Sequence, residues 1–196
     1  MFSKTYILSL WLLVGLLFFC GIIQAQPDKV YKSLSDIRNV EDVYILKLKR
    51  QRLTQIPKQI FSYSNLRFLD LGQNRIDSIP PDIVRLQSLE VLRLGRNNID
   101  SLPIEIAQLS HLEELDLSRN PIEFLPEEMG YMLSLKRLIL WSTFVFRLPD
   151  SFAELDGRLE LLDLRSCQLS LNDQRTIRQL LPTPRIQWDQ ACNCKY

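Results

Sequence analysis

The chain has 196 residues, 46% of them hydrophobic and 24% charged, with 24 basic residues against 23 acidic ones. That length suits one domain better than two. The near-neutral balance argues against general nucleic-acid binding, which needs a phosphate-neutralising excess of Lys and Arg.

The N-terminal segment has the order of a secretory leader. Lys4 is the only charge before Asp28, Ile7 to Ile23 is an apolar run, and Gln24-Ala25-Gln26 offers a small residue for cleavage ahead of polar Pro27-Asp28-Lys29. Residues 1–25 are therefore expected to be a signal peptide. The alternative is a retained anchor, since an apolar run of about 17 residues is at the short limit for spanning a bilayer. Cleavage would place the chain outside the cell or in a periplasm or cell envelope, with no membrane insertion afterwards. Residues 26–42 follow, where Ser33 and Asp36 have the spacing of a capping box before Leu34 and Ile37 can cover an apolar layer. A short helical cap is expected there.

From Val43 the sequence repeats. Ile56-Pro57, Ile79-Pro80, Leu102-Pro103, Leu125-Pro126 and Leu148-Pro149 stand 23 residues apart. A fixed period in this range marks a solenoid. Repeats begin at Val43, Leu66, Leu89, Leu112, Leu135 and Leu159, the last displaced by one residue at Asp156-Gly157-Arg158. Within one repeat, Leu69 and Leu71 flank Asp70 with the period of two of a strand buried on one face. A polar slot then runs Gln51, Asn74, Asn97, Asn120, Thr143, Cys167. An asparagine amide both donates and accepts, so stacked asparagines can satisfy the backbone where the chain leaves the sheet. Pro80, with Asp82 after it, suits the first turn of a short return helix, and Glu105, Glu127 and Asp150 recur nearby.

After residue 169, Ser170 and Asp173 repeat the capping device before Ile177, Leu180 and Leu181, and Pro182 stops that helix. Arg185 to Trp188 then reads as a closing edge strand, so 170–196 is expected to be the C-terminal cap that a solenoid needs. Beyond the leader lie Cys167, Cys192 and Cys194. Cys192 and Cys194 resemble a terminal staple for an oxidising compartment, and one thiol of the three is left over.

These residues resemble the leucine-rich repeat in its 23-residue class, LxxLxLxxNxLxxLPxxIxxLxx, over residues 43–169. The first repeat departs at Gln51 and the fifth at Thr143. Tyr31 to Leu34 and Leu180 to Pro182 resemble the ends of short exported bacterial members. The resemblance implies an α/β solenoid: a horseshoe of about six repeats with a parallel concave sheet and helical caps at both ends. It implies a non-catalytic module that binds a protein or peptide. It also makes Cys167 a buried structural residue, since Asn or Cys is usual in that slot.

In such a fold the residues flanking the strand leucines form solvent-facing columns. One runs Lys47, Asp70, Arg93, Asp116, Ile139, Asp163, alternating in sign. Rungs sit about 4.8 Å apart, so this is either a self-compensating ion-pair ladder or a polar recognition strip. The preceding column begins Ile45, Phe68, Val91, and the following one runs Lys49, Gly72, Gly95, Ser118, Trp141, Arg165. Trp141 either forms an exposed island beside Ile139 or folds over Phe144 and Phe146. Arg50, Arg96 and Arg119 are a charged rim or a contact for an anion. Phe68, Asp70, Val91, Arg93, Asp116, Ile139 and Trp141 are the candidate binding residues.

No catalytic or metal-ligating constellation stands out, and no cofactor is implied. His111 is the single histidine, on a turn; Glu113, Glu114 and Asp116 read as an acidic patch; Cys192-Asn193-Cys194 is too close-spaced for a zinc site. The expected function is non-covalent protein or peptide binding by a monomer. The alternative is a structural or cell-surface assembly component acting through self-association or pairing of the terminal edge strand.

Overall fold

The computed structural model describes residues 28–189. The expected leader and Cys192 and Cys194 lie outside them. The strands are β1 (Val30–Tyr31), β2 (Ile45–Lys47), β3 (Phe68–Asp70), β4 (Val91–Arg93), β5 (Glu114–Asp116), β6 (Arg137–Ile139), β7 (Leu161–Asp163) and β8 (Arg185–Gln187). They form one parallel sheet in chain order. Phe68 pairs with Val91 and Val91 with Glu114, one repeat apart. Arg137 pairs with Leu161, a step of 24 that absorbs the slip at Asp156-Gly157-Arg158. Gly157 carries φ 76°, the left-handed conformation glycine adopts without penalty.

The repeated apolar positions fill one elongated core. Leu66, Leu69, Leu71, Ile76, Ile83 and Leu86 are all fully buried, as are their equivalents in the following repeat. Three-residue strands cannot bury a hydrophobic face alone, so each repeat is stabilised by its neighbours. The polar slot ties them together: the amides of Asn74, Asn97 and Asn120 each donate to backbone carbonyls of their own and the preceding repeat.

The return segments are short 3₁₀ helices over Lys58–Ser62, Pro81–Arg85, Ile104–Gln108, Glu127–Tyr131 and Asp150–Leu155. Each repeat proline sits one place earlier than expected, as the residue before the first turn. Its carbonyl accepts the first helical N–H, as in Ile83 to Pro80 at 3.0 Å. The acidic residues do occupy the first turns.

The two ends differ. At the C-terminal end, α1 (Leu171–Leu180) opens with the expected reciprocal cap between Ser170 and Asp173 and buries Ile177. At the N-terminal end the expected capping box is not formed. The Ser33 hydroxyl accepts from Ser35 N, and only two 3₁₀ turns form, at Leu34–Asp36 and Val40–Asp42. An extra strand, β1, covers the first repeat instead, with Tyr31 buried against it. Among the described residues no helix is long and apolar enough to cross a membrane.

Candidate functional site

The register of β2 to β7 aligns the expected columns. Lys47 pairs with Asp70, Asp70 with Arg93, Arg93 with Asp116, Asp116 with Ile139, and Ile139 with Asp163. The ion-pair ladder is not what that column forms. Among the described residues no salt bridge joins Lys47, Asp70, Arg93 and Asp116 to one another. The two carboxylates turn to their own backbone: Asp70 accepts from Gly72 N at 2.9 Å, and Asp116 from Ser118 N at 2.9 Å and Ser118 Oγ at 2.6 Å. The cations turn to the adjacent column, with Lys47 and the Arg93 guanidinium each 5.1 Å from the centre of the Phe68 ring.

Arg93 also reaches Glu114, a member of the acidic patch expected from Glu113, Glu114 and Asp116. Glu114 is buried, accepting from Arg93 Nε at 2.8 Å and from Arg137 Nε and Nη2 at 2.9 and 2.8 Å. Glu113 pairs with Lys136. Burial pushes the Glu114 carboxyl up, but the two guanidinium groups outweigh it and hold the group below the ordinary glutamate range. A carboxyl so depressed stabilises the fold above the unfolded-state value and loses that contribution as pH falls through the folded-state value. Glu114→Gln is therefore expected to cost about 1–2 kcal/mol at pH 7, since the partner arginines are partly exposed. Urea denaturation across pH should show the gap to wild type closing as the medium is acidified below the ordinary glutamate range.

Between Lys49 and Trp141 the concave face holds a trough of about 290 Å³. It collects Asp70, Arg93, Asp116, Ile139 and Trp141, five of the expected binding residues. Phe68 and Val91 lie beside it, half-buried in the preceding column. Gly72 and Gly95 present bare backbone to the trough. A Cβ on Gly95 would stand 2.8 Å from Ser118 Oγ and 3.1 Å from the Asp116 carboxylate. Trp141 is half-buried with the Arg119 guanidinium 4.3 Å from its ring centre. Phe144 and Phe146 stay exposed, and Phe146 meets Phe124 edge-on at 5.4 Å. Cys167 is buried, its Sγ 3.1 Å from the Leu140 carbonyl; burial pushes its thiol up, away from the reactive thiolate. His111 lies on an exposed turn, its Nδ1–H donating to the Gln87 carbonyl at 2.9 Å.

Residues 41–99, 64–122 and 87–143 each match the leucine rich repeat family, together more than half of the 196 residues. No curated protein matches the sequence. Among solved structures, a leucine-rich-repeat protein of Leptospira interrogans is similar at 35% identity, covering 74% of this chain and 35% of that one with a TM-score of 0.66. An internalin of Listeria monocytogenes shares the fold at 24% identity, covering 82% of this chain and 47% of its own, TM-score 0.63. The plant peptide hormone receptor RGFR1, solved in complex with RGF2, is similar at 32% identity over 73% of this chain and 24% of the receptor, TM-score 0.60. The chain thus spans less than half the length of each of these proteins. With the family match running from residue 41 to 143 and its strands in a 23-residue register, the chain belongs to the leucine-rich repeat family.

Proposed function

We propose that this chain is an exported, non-catalytic module that binds a protein or peptide on its concave sheet. The observation that carries the reading is the trough. It is a continuous polar channel across several strands with Ile139 and Trp141 at one end. Recognition sites of this kind combine a few apolar anchors with polar groups that fix register. A similar plant receptor solved with RGF2 supports a peptide-sized ligand. Export rests on the order of charged, apolar and small residues over 1–25.

The test is partner capture by single variants. Trp141→Ala and Phe68→Ala are each expected to weaken binding about tenfold or more while leaving the melting temperature close to wild type, because both side chains are half-exposed. Titration calorimetry with a partner identified by cross-linking in the source cell measures this. Undiminished affinity in both variants would remove the concave face from the account. A second reading, assembly through a sheet edge, is favoured by β8, which pairs only with β7 among the described residues. Light scattering with and without reductant decides it, since a strictly monomeric protein rules it out.

A further inference from the structure

Three residues past the end of each of strands β2 to β7 one residue has a left-handed backbone: Arg50, Gln73, Arg96, Arg119, Ser142 and Ser166, with φ between 55° and 62°; Arg52 and Gln168 share it two places later in the first and last repeats. The fold imposes this. The N–H of each donates to the next rung, as in Arg96 to Ser118 O at 2.7 Å and Arg119 to Trp141 O at 2.9 Å. At the last rung the Asp189 carboxylate takes the place of that carbonyl, 2.7 Å from Ser166 N. A position chosen for conformation alone would hold glycine or asparagine, which adopt it with little or no strain. None of the six is either, and three are arginine. Strained residues persist where the side chain is needed, most often at functional sites.

The charges are also uncompensated. Arg96 and Arg119 stand on adjacent rungs, about 4.8 Å apart along the sheet, and neither forms a salt bridge among the described residues. Among the described residues the Arg50 side chain hydrogen-bonds only to neutral Gln73, and Arg119 lies on Trp141. The like-charge proximity acts against the folded chain unless something anionic covers this rim.

We propose that the arginine column binds the carboxylates of an acidic peptide segment laid across the strands, an assignment that rests on the concave-face reading above. The trough favours a peptide over a uniform polyanion. Asp70 and Asp116 line it, each with one carboxylate oxygen already holding a backbone N–H and the other directed to no protein partner among the described residues. Those oxygens repel a sulfated polysaccharide and accept main-chain N–H groups of a peptide. Ile139 and Trp141 at the trough end take an apolar residue of the same segment.

The test is fluorescence anisotropy with a fluorescein-labelled peptide of alternating glutamate and glycine ending in leucine. Its lysine counterpart and a heparin oligosaccharide of matched charge serve as comparators. The glutamate peptide should bind, weaken as salt rises, and exceed both comparators. The double change Arg96→Asn with Arg119→Asn should reduce its affinity about five- to tenfold and leave the melting temperature at or above wild type. No binding of the glutamate peptide, undiminished binding by the double variant, a lowered melting temperature or tighter heparin binding would each overturn the proposal. Loss of peptide binding in Trp141→Ala but not in the double variant would retain the concave face and remove the arginines. Loss in neither would remove both.

Discussion

Replacing Asn97 with alanine is expected to lower stability by about 3 kcal/mol and the melting temperature by roughly 10 °C. Asn97 is buried; its Oδ1 accepts from Ile76 N at 3.0 Å, and its Nδ2 donates to Leu71 O at 3.1 Å and Leu94 O at 2.7 Å. The two carbonyls are shared, because Asn74 also donates to Leu71 O and Asn120 to Leu94 O. Truncation thus leaves each carbonyl a partner but strands the Ile76 N–H inside the core. That orphaned donor is the largest part of the cost. Asn97→Thr should recover little of this, since Thr143 in the equivalent slot donates its hydroxyl to its own repeat's carbonyl, Leu140 O, at 2.7 Å, and a hydroxyl used that way does not take up the orphaned N–H. Thermal unfolding should find both variants well below wild type. Equal and negligible effects would mean the asparagine ladder does not hold the repeats together.

Gly130→Ala is expected to cost about 3 kcal/mol, at the upper end of what overpacking does. A Cβ there would lie 2.4 Å from the Ser151 carbonyl carbon and oxygen, and backbone cannot rotate aside as a side chain can. The return helices Glu127–Tyr131 and Asp150–Leu155 would have to separate, uncovering Met129 and Phe152, both fully buried. Gly157 is the control. Its φ is 76°, but a Cβ there has nothing within 4 Å, so Gly157→Ala carries only the backbone penalty of about 1 kcal/mol. Chemical denaturation should therefore find position 130 clearly the more sensitive. The reverse order would show that the return helices are not in close contact.

The repeat made much of this legible in advance. A solenoid is close to one-dimensional, so a period of 23 places each residue in a column before any packing is known. Asp70, Arg93, Asp116, Ile139 and Trp141 reached the trough on that ground alone. What failed depends on side-chain reach or on very short pairing. Of the two readings the alternating charges allowed, the ion-pair ladder rested on column neighbours having adjacent Cα atoms, and it is the one that fails. Arginine is long enough to prefer Glu114 one column over, and the aspartates bond their own turns. Glu114 could have been found by asking which acid stands opposite Arg137. β1 is two residues long and carries no periodic signal. The left-handed backbone at Arg50, Arg96 and Arg119 was hidden because turn chemistry is sought at glycine and asparagine, and here the arginines occupy that conformation.

The central claim is that a partner lies on the concave sheet. It is tested most directly by photo-crosslinking from the two faces of the protein in the cell that makes it. A benzophenone amino acid at position 139, in the trough, should capture the partner, whereas one at position 108, exposed on a return helix, should not. Capture from position 108 with none from 139 would contradict the account.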